Sequence, residues 1–268
     1  MNLIYEPKGA AGEYAKYAVN FYNGCSNRCA YCYNRKGVAA KVLGQDVPVL
    51  KKAILDEWEK ARKAGSDMSA GDVAYNMFCK DIEVCGDELR KHELFFNFVS
   101  DPMLDETHVL NGLCIEQCIK EGIPVRVLTK AGNITSEEVW WILHCSGADG
   151  EDVRKYLTVG FTLTGCDELE PGADSNMERI RAMKSIHSVG IRTWASIEPV
   201  IDLKKSARMI LDSLPYCDEY RIGLLSGKKN YTPDEVKEWK KMLENVFAFF
   251  DKKLVWKKSV MEYINKAL

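Results

Sequence analysis

YLTVGFTLTGCDELEPGADSNMERIRAMKSIHSVGIRTWASIEPV, residues 156–200, contains one complete unit of the fold. It opens with a run rich in β-branched and aromatic side chains, 156–164, and closes with a second, 191–200. Neither run alternates apolar with polar. Each is near-continuously apolar, the pattern of a strand covered on both faces, as in a parallel sheet. Between them Asp174-Ser175 marks a helix start, and Ile180, Met183, Ile186 and His187 share one side of the helix that follows. Strand, helix and strand in that order make a right-handed βαβ crossover.

The same rhythm recurs on both sides of this unit. Further strand candidates are 17–22, 94–100, 124–130 and 220–226. Helical spacing appears near 107–121 (Leu110, Leu113, Cys114, Cys118), after Thr135-Ser136-Glu137, near 203–213 and over 232–249. The last is opened by Thr232-Pro233-Asp234-Glu235, an N-cap followed by proline at the first helical position. Six parallel strands are too few for a closed eight-stranded barrel. The expected fold is therefore α/β, a partial (β/α)6 TIM-type barrel, with an open doubly wound sheet as the second arrangement. A single domain over 1–268 is expected, with a core of about 15–230, a helical insertion at about 66–93 on the rim, and a C-terminal extension of about 230–268.

The chain has 268 residues, 46% of them hydrophobic, enough for one barrel or two ordinary domains. A formal net charge of −2 supplies no bulk attraction to nucleic acid or to an anionic membrane. The N-terminal residues lack a basic stretch followed by an apolar run, and no apolar run approaches the ~20 residues of a membrane span. Together with 10 cysteines, this makes a cytoplasmic protein with free thiols and metal ligands the expectation.

GCSNRCAYCYN, residues 24–34, sets Cys25, Cys29 and Cys32 as C-x3-C-x2-C directly after the first of the six strands. Thiolates are the soft anionic ligands that iron–sulfur clusters take. Three ligands on one short loop hold three corners of a cubane and leave one iron open. A zinc site pairs two C-x2-C knuckles, or one knuckle with two histidines. No second knuckle occurs, and none of the 4 histidines falls near the triad.

This spacing, with Tyr31 just before the third cysteine, is similar to the motif of the radical S-adenosylmethionine (SAM) superfamily. The resemblance implies a 4Fe-4S cluster whose open iron binds the methionyl amine and carboxylate of SAM. It also implies one-electron cleavage of SAM to a 5′-deoxyadenosyl radical, and an external electron donor such as flavodoxin or ferredoxin. Polar residues at the strand ends are then candidates for the SAM pocket, because sites in parallel barrels lie at those ends. They are Ser100, Asp101, Lys130, Thr162 and Glu198. Asp101 suits the amine, Lys130 the carboxylate, and the hydroxyls and Glu198 the ribose.

Four segments, 20–34, 99–103, 127–130 and 159–201, together resemble the spore photoproduct lyase-like group, also described as DNA repair photolyase-like. Within that group the positions of Ser100, Asp101, Lys130 and Thr162 contact SAM, and Glu170-Pro171-Gly172 with Arg179 forms a structural signature. One position departs. Where authentic spore photoproduct lyases carry a hydrogen-donating cysteine, this chain has Phe98. Cys166, two residues past the fourth strand candidate, is the alternative thiol and is expected near the barrel mouth as a catalytic hydrogen donor.

Cys79 and Cys85 read as buried small side chains, Cys114 and Cys118 as core or helix-face residues, and the histidines as packing or surface residues. KKLVWKK (252–258) reads as a short edge strand or a solvated face, with contact to nucleic acid as the lesser reading. Competing functions are a non-catalytic iron–sulfur redox or sensor protein and a zinc-binding interaction module.

Overall fold

The computed structural model describes residues 3–265. In chain order the elements begin with β1 (Ile4–Tyr5), a 3-10 turn at Gly9–Glu13, β2 (Tyr17–Val19), β3 (Tyr22–Asn23), α1 (Ala40–Leu43), β4 (Val49–Leu50), α2 (Lys52–Lys63) and α3 (Ala70–Leu89). They continue with β5 (Leu94–Phe96), α4 (His108–Lys120), β6 (Val125–Thr129), α5 (Gly132–His144), α6 (Gly150–Tyr156), β7 (Leu157–Thr162) and α7 (Asn176–Ser188). The chain closes with β8 (Arg192–Val200), α8 (Leu203–Ser213), β9 (Glu219–Leu224), α9 (Pro233–Phe247), β10 (Lys253–Trp256) and α10 (Lys258–Asn265).

The main sheet has the order β1-β2-β5-β6-β7-β8-β9-β10. Six strands, β2 and β5 through β9, pair in parallel with their sequence neighbours and are joined by helices. This is the expected partial (β/α)6 barrel. Two short edges extend it: β1 runs antiparallel to β2, and β10 runs parallel to β9. They do not pair with each other, so the barrel has a seam.

Three local expectations are corrected. Residues 66–93 are not an addition on the rim. Their helix α3 covers the outer face between β2 and β5, with Phe78 edge-on to both Phe21 and Phe96 at 5.6 and 6.1 Å. It is part of the crossover. Its length comes from a capping box, Ser69 with Asp72, that starts a helix inside a stretch rich in small and polar residues. Helix α5 starts at Gly132 rather than after Thr135-Ser136-Glu137, because Asp174 from another loop accepts from Gly132 N at 2.5 Å and Asn133 N at 3.2 Å. A cap supplied across space leaves no local signal. The strand candidate 17–22 divides at Asn20, whose side chain joins Tyr5 and the backbone of Phe98 and Val99.

Strand parity separates two interiors. Val127, Val159, Phe161, Ala195 and Ile197 face the helices and belong to the large core. Ala18, Phe95 and Trp194 form a second, small cluster within the barrel. Trp194 Nε1 donates to Val127 O at 3.0 Å across the lumen. Gly160 opposite is a requirement, since a Cβ there would overlap the indole.

The barrel floor is ionic. Arg126 pairs with Glu93 at 2.7 Å and with Glu219 at 3.2 Å, while Arg221 and Lys253 also reach Glu219 at 2.5 and 3.1 Å. Burial raises the Glu219 carboxyl, but Arg126, Arg221 and Lys253 outweigh it and bring it from 4.5 down to about 2. A carboxyl depressed on folding contributes stability that is complete above its unfolded value and lost as pH falls through the folded one. Urea midpoints are therefore expected to fall between pH 4.5 and about 2. Glu219→Gln is expected to lower stability at neutral pH and to flatten that acid slope. An unchanged slope would count against the floor as an acid-labile element.

Candidate cluster and cofactor site

The cysteine loop leaves β3 through Gly24, whose φ is +85° and whose Cβ, if present, would meet Val47 O at 2.5 Å. Only glycine makes that turn without strain. The loop is then tied at several points. Cys25 N donates to Gln45 O at 2.9 Å, Ala30 N to Leu169 O at 2.9 Å, and Gly172 N to Asn27 O at 3.1 Å. A Cβ on Gly172 would overlap Ser26 O, so this glycine lets the 170–172 turn lie directly on the cysteine loop.

Cys25, Cys29 and Cys32 are all unbridged; Cys29 is 6% exposed and the other two are half-buried. Burial pushes the Cys25 thiol up to about 12, with Asp101 adding to the rise and Lys130 opposing it. Burial likewise raises Cys29, again opposed by Lys130. Such thiols hold their protons until a metal displaces them. The donor set fits a three-ligand iron–sulfur cluster: three soft ligands within eight residues, on a loop pinned at both ends and beside a cation. Among the described residues no three His, Cys, Asp or Glu side chains converge on a single ion. A cubane is held at separate corners and does not ask for such convergence.

Asp101 is reassigned. Oδ1 accepts from Thr129 Oγ1 at 2.6 Å and Met103 N at 3.0 Å; Oδ2 accepts from Lys130 N at 2.7 Å and Asn27 Nδ2 at 2.8 Å. A carboxylate has about four lone-pair sites, and all are filled by the chain. Asp101 therefore clamps the cysteine loop to the ends of β5 and β6 and has no free site for an amine. Asn27 took no part in the sequence reading. Its Oδ1 is buried without a donor.

Tyr31 and Lys130 do meet. The Lys130 ammonium lies 5.8 Å from the Tyr31 ring centroid, and the Tyr31 hydroxyl donates to Glu170. Burial works against the Lys130 charge, but Cys29 and Glu170 prevail and the ammonium is held above its ordinary value. Behind Tyr31, Arg179 and Glu170 form an ion pair at 2.7 Å with both side chains fully buried. Arg179 Nη1 also donates to Thr162 O at 2.8 Å. The expected structural role of Glu170-Pro171-Gly172 and Arg179 is thus visible as a strut under the cysteine loop.

Thr162 is buried at the end of β7, its hydroxyl unbonded among the described residues. Ser100 is buried, with only a long 3.5 Å contact to Asp101 O. Glu198 lies on the seam side and already accepts from Lys257 and Tyr14. Neither partner was expected there. Tyr14 lies just after the turn at Gly9–Glu13, and in KKLVWKK the period-two alternation that puts Lys253 and Lys257 on one face is the available signal.

Cys166 lies just past the C-terminal end of β7 and is buried rather than open to the mouth. It is 2% exposed under the turn 167–169, with Lys205, Glu168 and Asp202 around it, and burial raises its thiol. The thiol is closed off from solvent between this turn and the start of α8, and Glu170 of the strut is also near it. Cys166→Ala is expected to leave any turnover within about twofold of wild type, since small buried replacements act mainly on stability. A loss of turnover in steady-state assays, with folding intact, would restore the catalytic reading.

No family model matches the sequence. An uncharacterised protein of Methanocaldococcus jannaschii, MJ0683, is 24% identical over 257 residues, covering 88% of this chain and 82% of that protein. Among solved structures, Streptococcus suis SuiB bound to SAM overlaps 61% of this chain and 36% of its own length, at 15% identity and a TM-score of 0.45. SuiB bound to its precursor peptide SuiA overlaps 65% and 40%, at 11% identity and a TM-score of 0.46. The chain thus spans about two fifths of SuiB's length. Overlaps of this size assign neither a family nor an activity.

Proposed function

We propose that this chain is a radical SAM enzyme in which Cys25, Cys29 and Cys32 hold a 4Fe-4S cluster. The observation that carries the reading is the placement of three free thiols, spaced C-x3-C-x2-C, at the C-terminal mouth of a partial (β/α)6 barrel beside the half-buried Lys130. When bound, the cluster and SAM supply one-electron cleavage of the sulfonium bond and a 5′-deoxyadenosyl radical able to abstract hydrogen.

The chain's own residues then bind and shield. Lys130 offers a fixed cation to the SAM carboxylate. Ser100 and Thr162 offer hydroxyls from neighbouring strand ends, and Glu198 a carboxylate to the ribose. Tyr31 sets Lys130 rather than touching SAM with its hydroxyl, which Glu170 already takes. Below the mouth, Phe95 and Phe98 stack at 4.2 Å, with Tyr14 tilted against Phe95 at 5.6 Å and Trp194 edge-on to it at 6.4 Å. This aromatic lining excludes water from a reactive intermediate.

The reducing partner would be a flavodoxin- or ferredoxin-like protein of the cytoplasm. A nucleic acid or nucleotide is the substrate class that the family resemblance favours. Repair of spore photoproduct itself is not proposed, because Phe98 has no transferable hydrogen on a heteroatom. Among the described residues no helix is long and apolar enough to cross a membrane.

The test is anaerobic reconstitution with iron and sulfide, then equilibrium binding of SAM and measurement of 5′-deoxyadenosine after reduction. Binding with deoxyadenosine formation supports the reading. A reducible cluster with no SAM affinity turns it into the redox-protein alternative, and zinc with no colour into the interaction module.

A further inference from the structure

Three distant parts of the chain meet on one carboxylate. Glu198 Oε2, at the end of β8, accepts from Lys257 Nζ at 2.7 Å and from the Tyr14 hydroxyl. The Tyr14 hydroxyl also lies 3.0 Å from Ser196 Oγ. Lys257 is 4% exposed, with its ammonium 4.1 Å from the Tyr14 ring centroid.

Backbone contacts keep the unit in place. Lys257 N donates to Ile222 O at 2.9 Å, and Lys258 N to Glu13 Oε2 at 3.1 Å. Arg221 Nη1 donates to Glu13 O at 3.1 Å and Tyr14 O at 2.7 Å. The N-terminal strap is thereby fastened across the barrel seam. A Cβ on Gly223 would come within 2.5 Å of Glu198 Oε1, so this glycine leaves the carboxylate its position.

Two valences stay unspent. Glu198 Oε1 accepts from no donor among the described residues. An ammonium has three N–H groups; one is on Glu198 and the Tyr14 face attracts another. The Glu198 side chain is 24% exposed and that of Lys257 4%, so the free acceptor and the free donor lie side by side where a ligand can reach them. A vicinal diol does so, with one hydroxyl donating to the carboxylate while its neighbour accepts from the ammonium. Carboxylates that bind ribose in nucleotide sites use the first half of this arrangement.

We infer that Tyr14 and Lys257 are positioning residues that hold Glu198 to receive the ribose diol of the nucleoside end of SAM. The identity of the nucleoside rests on the radical SAM reading; the diol contact itself needs no cluster.

The test titrates the full-length chain, without cluster, with adenosine and with 2′,3′-dideoxyadenosine by calorimetry. Wild type is expected to bind adenosine about tenfold more tightly, the value of one hydrogen bond to a charged group. Lys257→Met is expected to bring the two affinities within about twofold by raising only the adenosine Kd, whereas Lys257→Arg keeps most of the discrimination. Tyr14→Phe removes one hydroxyl and keeps the ring; a severalfold loss of discrimination is expected, so the inference stays testable if Lys257→Met does not fold. Undiminished discrimination in a folded Lys257→Met or in Tyr14→Phe overturns it. Equal binding of both nucleosides by a wild type that binds SAM also overturns it, and leaves the radical SAM reading standing. A reconstituted wild type that binds neither SAM nor adenosine overturns both.

Discussion

Replacing Cys29 by alanine is expected to abolish SAM cleavage, with 5′-deoxyadenosine falling to the level of a no-enzyme control. Cys29 is the most buried of the three thiols and the one most directly opposite Lys130. With two ligands left on the loop, a cubane loses one of its three protein corners, and iron and sulfide content should fall with activity. The substitution removes one sulfur and leaves the Tyr31–Glu170 and Asn27–Asp101 ties in place. Folding should therefore survive, which a circular dichroism melt can verify. Wild-type iron content together with wild-type deoxyadenosine yield in Cys29→Ala would remove the cysteine loop from the proposed chemistry.

The second large effect is on stability. Arg179→Met is expected to cost about 3–5 kcal/mol, because it leaves the fully buried Glu170 carboxylate without its counter-charge. For a chain of this length that is a fall in melting temperature on the order of 10 °C. The loss should reach the site as well. Glu170 holds Tyr31 and begins the turn whose Gly172 N binds Asn27 O, so a loosened strut should lower cluster retention after reconstitution. The paired change Glu170→Met with Arg179→Met should recover part of the stability, since removing both charges is far cheaper than stranding one. Unchanged melting of Arg179→Met would show that the pair carries no net stability.

Much of this was legible along the chain. Near-continuous apolar runs alternating with helical spacing implied doubly buried parallel strands, and all six expected strands appear in the sheet. The spacing of the cysteine triad alone carries the expectation of a cluster, and the structure adds that all three thiols are free. The strut at Glu170 and Arg179 was readable only as a family signature; its full burial came from packing around it.

What the chain order concealed was everything assembled across space. Asp101 was marked as a ligand because strand ends are polar, yet four donors from four separate positions use up its oxygens. Cys166 is expected near the mouth from its distance to a strand, but that distance gave no sign that its thiol is covered, 2% exposed beside a turn of three residues. The short edge strand expected at 252–258 is present as β10, but nothing local showed that it buries Lys257 against Glu198. Periodicity and residue spacing are local properties, so the amino-acid order settles the class of fold and singles out Cys25, Cys29 and Cys32 as the candidate ligands. Which polar groups have valence left for a ligand depends on partners far apart in the chain, 74 residues for Asn27 and Asp101 and 184 for Tyr14 and Glu198, and only tertiary packing decides that.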